Sequence, residues 1–263
     1  MENVELWTDI SVNQNGDNPG KPIDFVRMKL AGVVGVCIRK STGFYRDSWF
    51  LRNWEGAGAA GLKRTFYVVP YYGYDTAKQL RAALTILDAQ GNEQPFVPGP
   101  LDRPWWLDVE YRHTGKRDAA ENWIIGYMGS LQEVYGPGHI YTAPYVWAQF
   151  YSLRPWDTRA PLVIANYKTN LYGLSLADMV AVAKTLQPIM PSSWEHWTGW
   201  QVAADGDGKG PELGVHSAAV DLSLQRVLDA PEHDGAVLTA WYQSVAAAYD
   251  NMGDLLRDFP GVG

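Results

Sequence analysis

The chain has 263 residues, 46% of them hydrophobic, and 29 acidic against 22 basic residues, for a formal net charge of −7. That length and apolar share can bury a large core, while the acidic balance argues against nucleic acid or an anionic membrane surface, both of which reward clustered Lys and Arg. No apolar run approaches the roughly 20 residues of a membrane-spanning helix, and the single cysteine, Cys37, excludes an intrachain disulfide and a multi-cysteine metal site.

Short apolar runs alternate with longer stretches of helical period, the pattern of β/α units. In chain order, strands are expected at Val4–Asp9 and Val33–Arg39, with a helix at Ile23–Ala31 between them. A helix at Asp47–Ala60 leads to the strand Thr65–Pro70, and a helix at Asp75–Ala89, with Asp75 as its N-cap, leads to the strand Trp105–Glu110. The helix Asp118–Tyr135, with Asp118 as its N-cap, precedes strands His139–Thr142 and Leu162–Ala165. Helical signals then thin. Ser175–Leu186 is the one convincing helix before strands Gly199–Val202 and Ala218–Leu222, which the Gly-rich stretch Ala204–Gly214 joins. Eight strands over about 220 residues predict a single closed α/β barrel of eight strands, irregular in its second half. The barrel domain is expected over residues 1–225. A helical extension over 226–263, centred on Ala236–Phe259, either packs on the barrel or leads to a linker.

Within this frame Cys37 lies in the apolar run Val33-Val34-Gly35-Val36-Cys37-Ile38 and reads as a buried structural thiol. The aromatic content is high, with 12 tryptophans and 15 tyrosines, many beside Gly, Pro or Asp at the ends of expected strands. Core packing accounts for any one ring, but the clustering tilts the set towards carbohydrate, whose flat, hydroxyl-rimmed faces suit aromatic surfaces with polar tips. The run Asp205-Gly206-Asp207-Gly208-Lys209-Gly210 invites comparison with a calcium loop. Lys209 and His216 occupy positions that such a loop gives to oxygen ligands, so it reads as a surface turn. The five histidines lack metal spacing, and no Gly-x-Gly-x-x-Gly or Gly-x-Ser-x-Gly is present, so neither a metal nor a cofactor is expected.

The chemistry concentrates at Trp105-Trp106-Leu107-Asp108-Val109-Glu110. Carboxylates at i and i+2 on a strand point the same way, about 6–7 Å apart along the chain. At the C-terminal end of a barrel strand they would project into the site where barrel enzymes keep their chemistry. Neighbouring carboxylates drive their pKa values apart, leaving a proton donor beside an anion, and glycoside hydrolysis needs that pair. Asp9 and Asp221, expected to close the first and last strands, would converge on the same point in a closed barrel.

In chain order the sequence resembles glycoside hydrolase family 25, the muramidases of phage endolysins and of bacterial and fungal lysozymes. The resemblance rests on Thr8-Asp9-Ile10-Ser11, Ile23-Asp24-Phe25, Asn53-Trp54 with Ala59-Ala60-Gly61-Leu62, and Leu107-Asp108-Val109-Glu110. It continues through Ile140-Tyr141-Thr142, Pro161-Leu162-Val163-Ile164-Ala165-Asn166-Tyr167, Trp197-Thr198-Gly199-Trp200-Gln201 and Val220-Asp221-Leu222-Ser223. It implies an irregular TIM-type barrel of (β/α)5(β)3 form. It also implies hydrolysis of the β-1,4 bond between N-acetylmuramic acid and N-acetylglucosamine in bacterial peptidoglycan, with retention and assistance from the substrate's own acetamido group. By the same resemblance Glu110 is the general acid and then base, Asp108 orients the acetamido group or stabilises the cyclic oxazolinium that it forms, and Asp9 and Asp221 hold the pair in place. Tyr71, Tyr141, Tyr167, Trp200 and Gln201 are the expected sugar contacts.

Two stretches depart from the family pattern. Arg39-Lys40-Ser41-Thr42-Gly43 lacks the glutamate of the family's Lys-Ala-Thr-Glu-Gly turn, and Phe66-Tyr67-Val68-Val69-Pro70-Tyr71 lacks the histidine that commonly ends the third strand. Both leave the detail of the glycan open. Two other readings stand beside the muramidase: a chitinase-like barrel glycosidase, and a non-catalytic wall-binding or structural phage protein on the same scaffold. The expectation is a monomer that acts on peptidoglycan glycan strands at the bacterial cell wall, without nucleic acid and without membrane insertion. No secretory signal is visible in Met1–Trp7, which fits both phage-type release from a host cytoplasm and secretion with the signal removed.

Overall fold

The computed structural model describes residues 4–227, apart from 17–19, 100, 101, 103, 152, 153, 157 and 205–207. Its first strand, β1 (Val4–Ile10), shows how the barrel uses its two faces. Leu6 and Ile10 join the hydrophobic core, while Glu5, Trp7 and Asp9 line cavities inside the barrel. The two-residue period sends one set of side chains out to the helices and the other into the lumen.

After β1 comes α1 (Phe25–Leu30), capped by the Asp24 carboxylate, which accepts from the Arg27 amide. Strand β2 (Gly35–Thr42) turns back through a short β3 (Tyr45–Arg46), and α2 (Phe50–Ala59) leads to β4 (Lys63–Val69). Helix α3 (Thr76–Leu84) is capped by Asp75, which accepts from the Lys78 amide, and β5 (Thr85–Leu87) pairs with β6 (Glu93–Pro95) as a hairpin outside the barrel. Then follow β7 (Trp106–Asp108), α4 (Arg117–Tyr135), β8 (His139–Thr142), α5 (Pro144–Phe150) and β9 (Leu162–Ala165). Helix α6 (Leu176–Ala183), β10 (Gly199–Ala203) and β11 (Asp221–Arg226) complete the described chain.

Strands β1, β2, β4, β7, β8, β9 and β10 pair in that order and run parallel, and β11 closes the ring antiparallel to both β10 and β1. The result is the expected eight-stranded α/β barrel, five β/α units followed by three strands, with α6 between β9 and β10. Among the described residues no helix is long and apolar enough to cross a membrane.

Several expected boundaries shift. The last strand begins at Asp221, so Asp221 opens it where the sequence suggests an end. Because β11 runs against β1, its first residue still stands level with the end of β1, with Asp221 opposite Asp9. Helix α4 starts one residue early, at Arg117, and Asp118 lies inside its first turn, where a carboxylate favours the helix dipole without capping it. Helix α3 stops at Leu84 because the β-branched pair Thr85-Ile86 is taken up by the hairpin. Helix α5, seven residues opened by Pro144, is too short to show a period. The helix expected at Ala236–Phe259, with the rest of 228–263, lies outside the described residues.

The tryptophans correct a second expectation. Of the eleven described, ten are buried and Trp123 is half-buried, so most serve packing, although Trp7 and Trp106 also line cavities in the lumen. Trp147, Trp156 and Trp194 pack edge to face or tilted at 4.6–5.8 Å. Their ring N–H groups donate to Ser193, Glu121 and the Ala160 carbonyl, the partners that a buried indole requires. Lys40, in the departing turn after Ile38, is also buried. It donates to the Ala82 and Thr85 carbonyls at the end of α3 and lies 5.2 and 5.0 Å from the centres of Phe50 and Phe96, so it holds helix to sheet.

The lower lumen is closed by Trp7, whose indole donates to Glu5 while Glu5 pairs with Lys63. A Cβ on Gly35 would meet the Trp7 indole at 2.4 Å. Gly35→Ala is therefore expected to cost about 1–3 kcal/mol by overpacking, which denaturant unfolding would read as a lower midpoint at unchanged slope.

Candidate active site

Four carboxylates meet at the upper mouth of the barrel. Asp9 arrives near the end of β1, Asp108 as the last residue of β7, Glu110 two residues later, and Asp221 as the first residue of β11. With Tyr67, Trp106, Tyr141, Tyr167 and Ala204 they line one cavity of about 250 Å³.

The loop that carries Glu110 is pinned from α5 and β8. The Val109 amide donates to the Tyr141 carbonyl, and the Thr142 hydroxyl donates to the Val109 carbonyl. Further along, the Tyr151 hydroxyl donates to the Tyr111 carbonyl, and His113 Nε2 lies 2.7 Å from the Phe150 carbonyl. The backbone on either side of Glu110 is thus fixed just past its strand, with Glu110 lining the cavity.

A buried relay orders the opposite wall. The Tyr141 hydroxyl donates to Gln201 Oε1 at 2.8 Å, and Gln201 Nε2 donates to Asp9 Oδ2 at 2.9 Å. Asp9 also shares a side-chain hydrogen bond with Asp221. Asp108 differs: its Oδ1 is buried and has no hydrogen-bond partner among the described residues. Buried polar atoms are nearly always satisfied, so an orphan acceptor in a cavity points towards a ligand's donor.

Crowding and burial raise all three carboxyls whose shifts are resolved. Burial pushes Asp9 up from 3.8 to about 6 against the opposing hydrogen bonds of Gln201 and Asp221, with further upward pushes from Asp108 and Glu110. Burial, and then the charge of Glu110, carry Asp108 well above the ordinary range, while the Arg39 guanidinium pulls it back. Burial and the charge of Asp221 raise Glu110. The site therefore holds protons that free carboxylates would have lost, and it titrates as a coupled set.

Arg39 is held for this electrostatic task by Asp47, at 3.1 Å from its Nε and 3.0 Å from its NH2 group. Asp47 itself accepts from the Val12 and Trp49 amides. Removing the cation removes a force that favours the anionic form of Asp108. Arg39→Gln is expected to move the acidic limb of the pH–activity profile upward, which initial rates measured across the acid range would show.

Of the nine residues expected at the site, Asp9, Asp108, Glu110, Asp221, Tyr141 and Tyr167 line the cavity, and Gln201 stands behind it in the relay. Trp200 does not reach it. Its side chain is fully buried beside Trp197, and its indole donates to the Asn166 carbonyl, because residue 200 faces the opposite side of β10 from Gln201. Tyr71 stands outside the cavity wall, packed with Tyr74 and Tyr111. Sequence reasoning missed Tyr67, Trp106 and Arg39. The first two were open to discovery by alternation, since Trp106 precedes Asp108 by two positions on one strand.

The described residues contain no group of three or more His, Cys, Asp or Glu arranged to hold a metal ion. No curated protein matches the chain in sequence. Among solved structures, the bacterial lysozyme of Streptomyces coelicolor is similar at 20% identity and TM-score 0.63, over 92% of this chain and 99% of that one. The muramidase of Trichobolus zukalii is similar at 22% identity and TM-score 0.61, over 90% and 99%. The catalytic domain of endolysin ply40, from bacteriophage P40 of Listeria monocytogenes, is similar at 16% identity and TM-score 0.53, over 92% and 98%. At these identities the likeness shows the fold. The profile of glycosyl hydrolases family 25 matches residues 8–210, most of the chain and nearly all of the barrel, so this protein belongs to glycosyl hydrolases family 25.

Proposed function

We propose that the protein is a peptidoglycan hydrolase of the lysozyme type, cleaving the β-1,4 bond between N-acetylmuramic acid and N-acetylglucosamine with retention and with help from the substrate's acetamido group. The observation that carries this reading is the pairing of Glu110, raised by burial and by Asp221, with Asp108, whose buried Oδ1 has no hydrogen-bond partner among the described residues. Glu110, raised above the ordinary carboxylate range, holds its proton to higher pH than a free glutamate and delivers it to the leaving glycosidic oxygen. The Asp108 oxygen accepts from the acetamido N–H, turning the acetamido carbonyl towards the anomeric carbon and sharing the charge of the oxazolinium ring that forms. Asp9 and Asp221, bonded to each other and to Gln201, shape the field around the pair. Glu110 then takes a proton from water as the ring opens. The names of the similar structures, two lysozymes or muramidases and one endolysin domain, support the peptidoglycan assignment.

Reduction of the digestion products with borohydride tests the bond assignment. Products of a muramidase yield muramitol at the new ends. Recovery of glucosaminitol alone would place the cut at the other glycosidic bond.

A further inference from the structure

Strand β11 sends alternate side chains into the lumen, so that Asp221 lines the catalytic cavity and Gln225 a second one at the lower end of the barrel. This lower cavity measures about 50 Å³, room for about three waters, or for one small ion with a water. Trp106 lines both cavities, which places the lower one beneath the catalytic floor. Gln225 is 9% exposed, and its Nε2 is buried with no hydrogen-bond partner among the described residues. Its neighbour gives the amide room. Gly199 stands opposite on β10, where a Cβ would meet the Gln225 amide at 2.4 Å.

The other polar groups of the cavity are engaged elsewhere. Trp7 and Lys63 donate to the two carboxylate oxygens of Glu5. The Thr65 hydroxyl donates to the Pro104 carbonyl at 2.7 Å, and the Thr198 hydroxyl to the Leu162 carbonyl at 3.0 Å. Burial pushes His139 down to about 4, which leaves it neutral above that pH. Arg226 is the remaining charge. Its guanidinium lies 4.2 Å from the centre of the Trp197 ring and pairs with no carboxylate among the described residues. Because Glu5 and Lys63 offset each other, the cavity keeps a net positive charge beside an unanswered amide donor.

We infer that the lower cavity binds one small monovalent anion, of halide or formate size, between the Gln225 amide and the Arg226 guanidinium. A charged acceptor answers both groups at once, and hydrogen bonds to an ion are stronger than those to water. The guanidinium keeps its charge at every working pH, so the site stays ready for an anion. A divalent oxyanion is too bulky for this volume, and its second charge would face the Glu5 carboxylate. The site is independent of the glycan-cleaving reading, since neither Gln225 nor Arg226 lines the catalytic cavity.

The test is calorimetric unfolding of the full chain in bromide, formate or gluconate at matched ionic strength. Bromide and formate are expected to raise Tm saturably, by about 2–4 °C, as ligands of the native state do. Gluconate, too large to enter, should not. Arg226→Gln and Gln225→Leu should each raise the half-saturating concentration about tenfold, the effect of losing one hydrogen bond to a charged group. If Gln225→Leu fails to fold, Arg226→Gln, at the end of its strand, carries the comparison. In crystals grown with bromide, the anomalous signal should lie between the two side chains. Equal Tm shifts in all three salts, or shifts that survive both substitutions, overturn the site. So does a cavity that holds water alone, or a bromide there without effect on Tm, which is an adventitious ion only.

Discussion

Replacing Glu110 by glutamine is expected to lower kcat/KM on peptidoglycan by about 10²–10⁴-fold, the range for loss of a positioned general acid, with the fold and substrate binding retained. The substitution keeps the size and polarity of the side chain and removes only its transferable proton. Nothing else in the cavity replaces that proton well. Asp9 and Asp221 are occupied with each other and with Gln201, and the oxygen of Asp108 serves as an acceptor. Asp108→Asn is expected to cost about 10²–10³-fold, as removal of one preorganised electrostatic contact does. Turbidity loss of cell-wall suspensions measures both. A Glu110→Gln protein with half the original rate would remove Glu110 from the chemistry.

The second large effect concerns stability, and its sign is opposite. Asp9 is held at about 6 in the folded protein against an ordinary 3.8. The folded state therefore binds its proton more tightly than the unfolded chain does, and the resulting stability is fullest below 3.8 and disappears as the pH rises through about 6. Holding the anion above that point costs about 3 kcal/mol. Asp9→Asn removes the charge and supplies a permanent donor to Asp221. At pH 7 it is expected to stabilise the protein by up to about 3 kcal/mol, or roughly 6–10 °C in Tm for a chain of this size. At pH 4 it is expected to change Tm little, while activity falls at both. Scanning calorimetry at the two pH values checks this, and equal shifts at both would refute the charge argument.

Much of the barrel was legible because its determinants are local. Seven of the eight barrel strands follow apolar runs closely enough to be placed from sequence, and Asp75 caps α3 as expected, whereas Asp118 lies inside the first turn of α4. The last strand was misplaced because its direction is a tertiary fact: Ala218-Ala219-Val220 is as apolar as a strand but lies in the approach to β11. Asp221 was nonetheless sited correctly, since reversing the strand exchanges its ends. The helix α5 and the β5–β6 hairpin were invisible because seven and three residues cannot establish a period.

The same distinction divides the candidate site. Asp108, Glu110, Tyr141 and Tyr167 sit at the ends of strands that composition reveals, and they line the cavity. Trp200 looked equivalent on sequence, but strand parity turned it into the wall, a matter of one residue's register. Arg39 carried no signal of its own. Its influence on Asp108 depends on Asp47, eight residues later, folding back to hold it. The aromatic excess was real but unevenly spent: nearly all described tryptophans are buried, Trp106 in the cavity wall, while most of the exposed rings are tyrosines.

The most direct test of the central claim, that these four carboxylates serve hydrolysis of the peptidoglycan glycan, is the chemistry of the ends released from purified peptidoglycan. New reducing ends that rise with time, without new free amino groups, are the predicted result. New amino groups without reducing ends, or neither from walls of several bacteria, would contradict it.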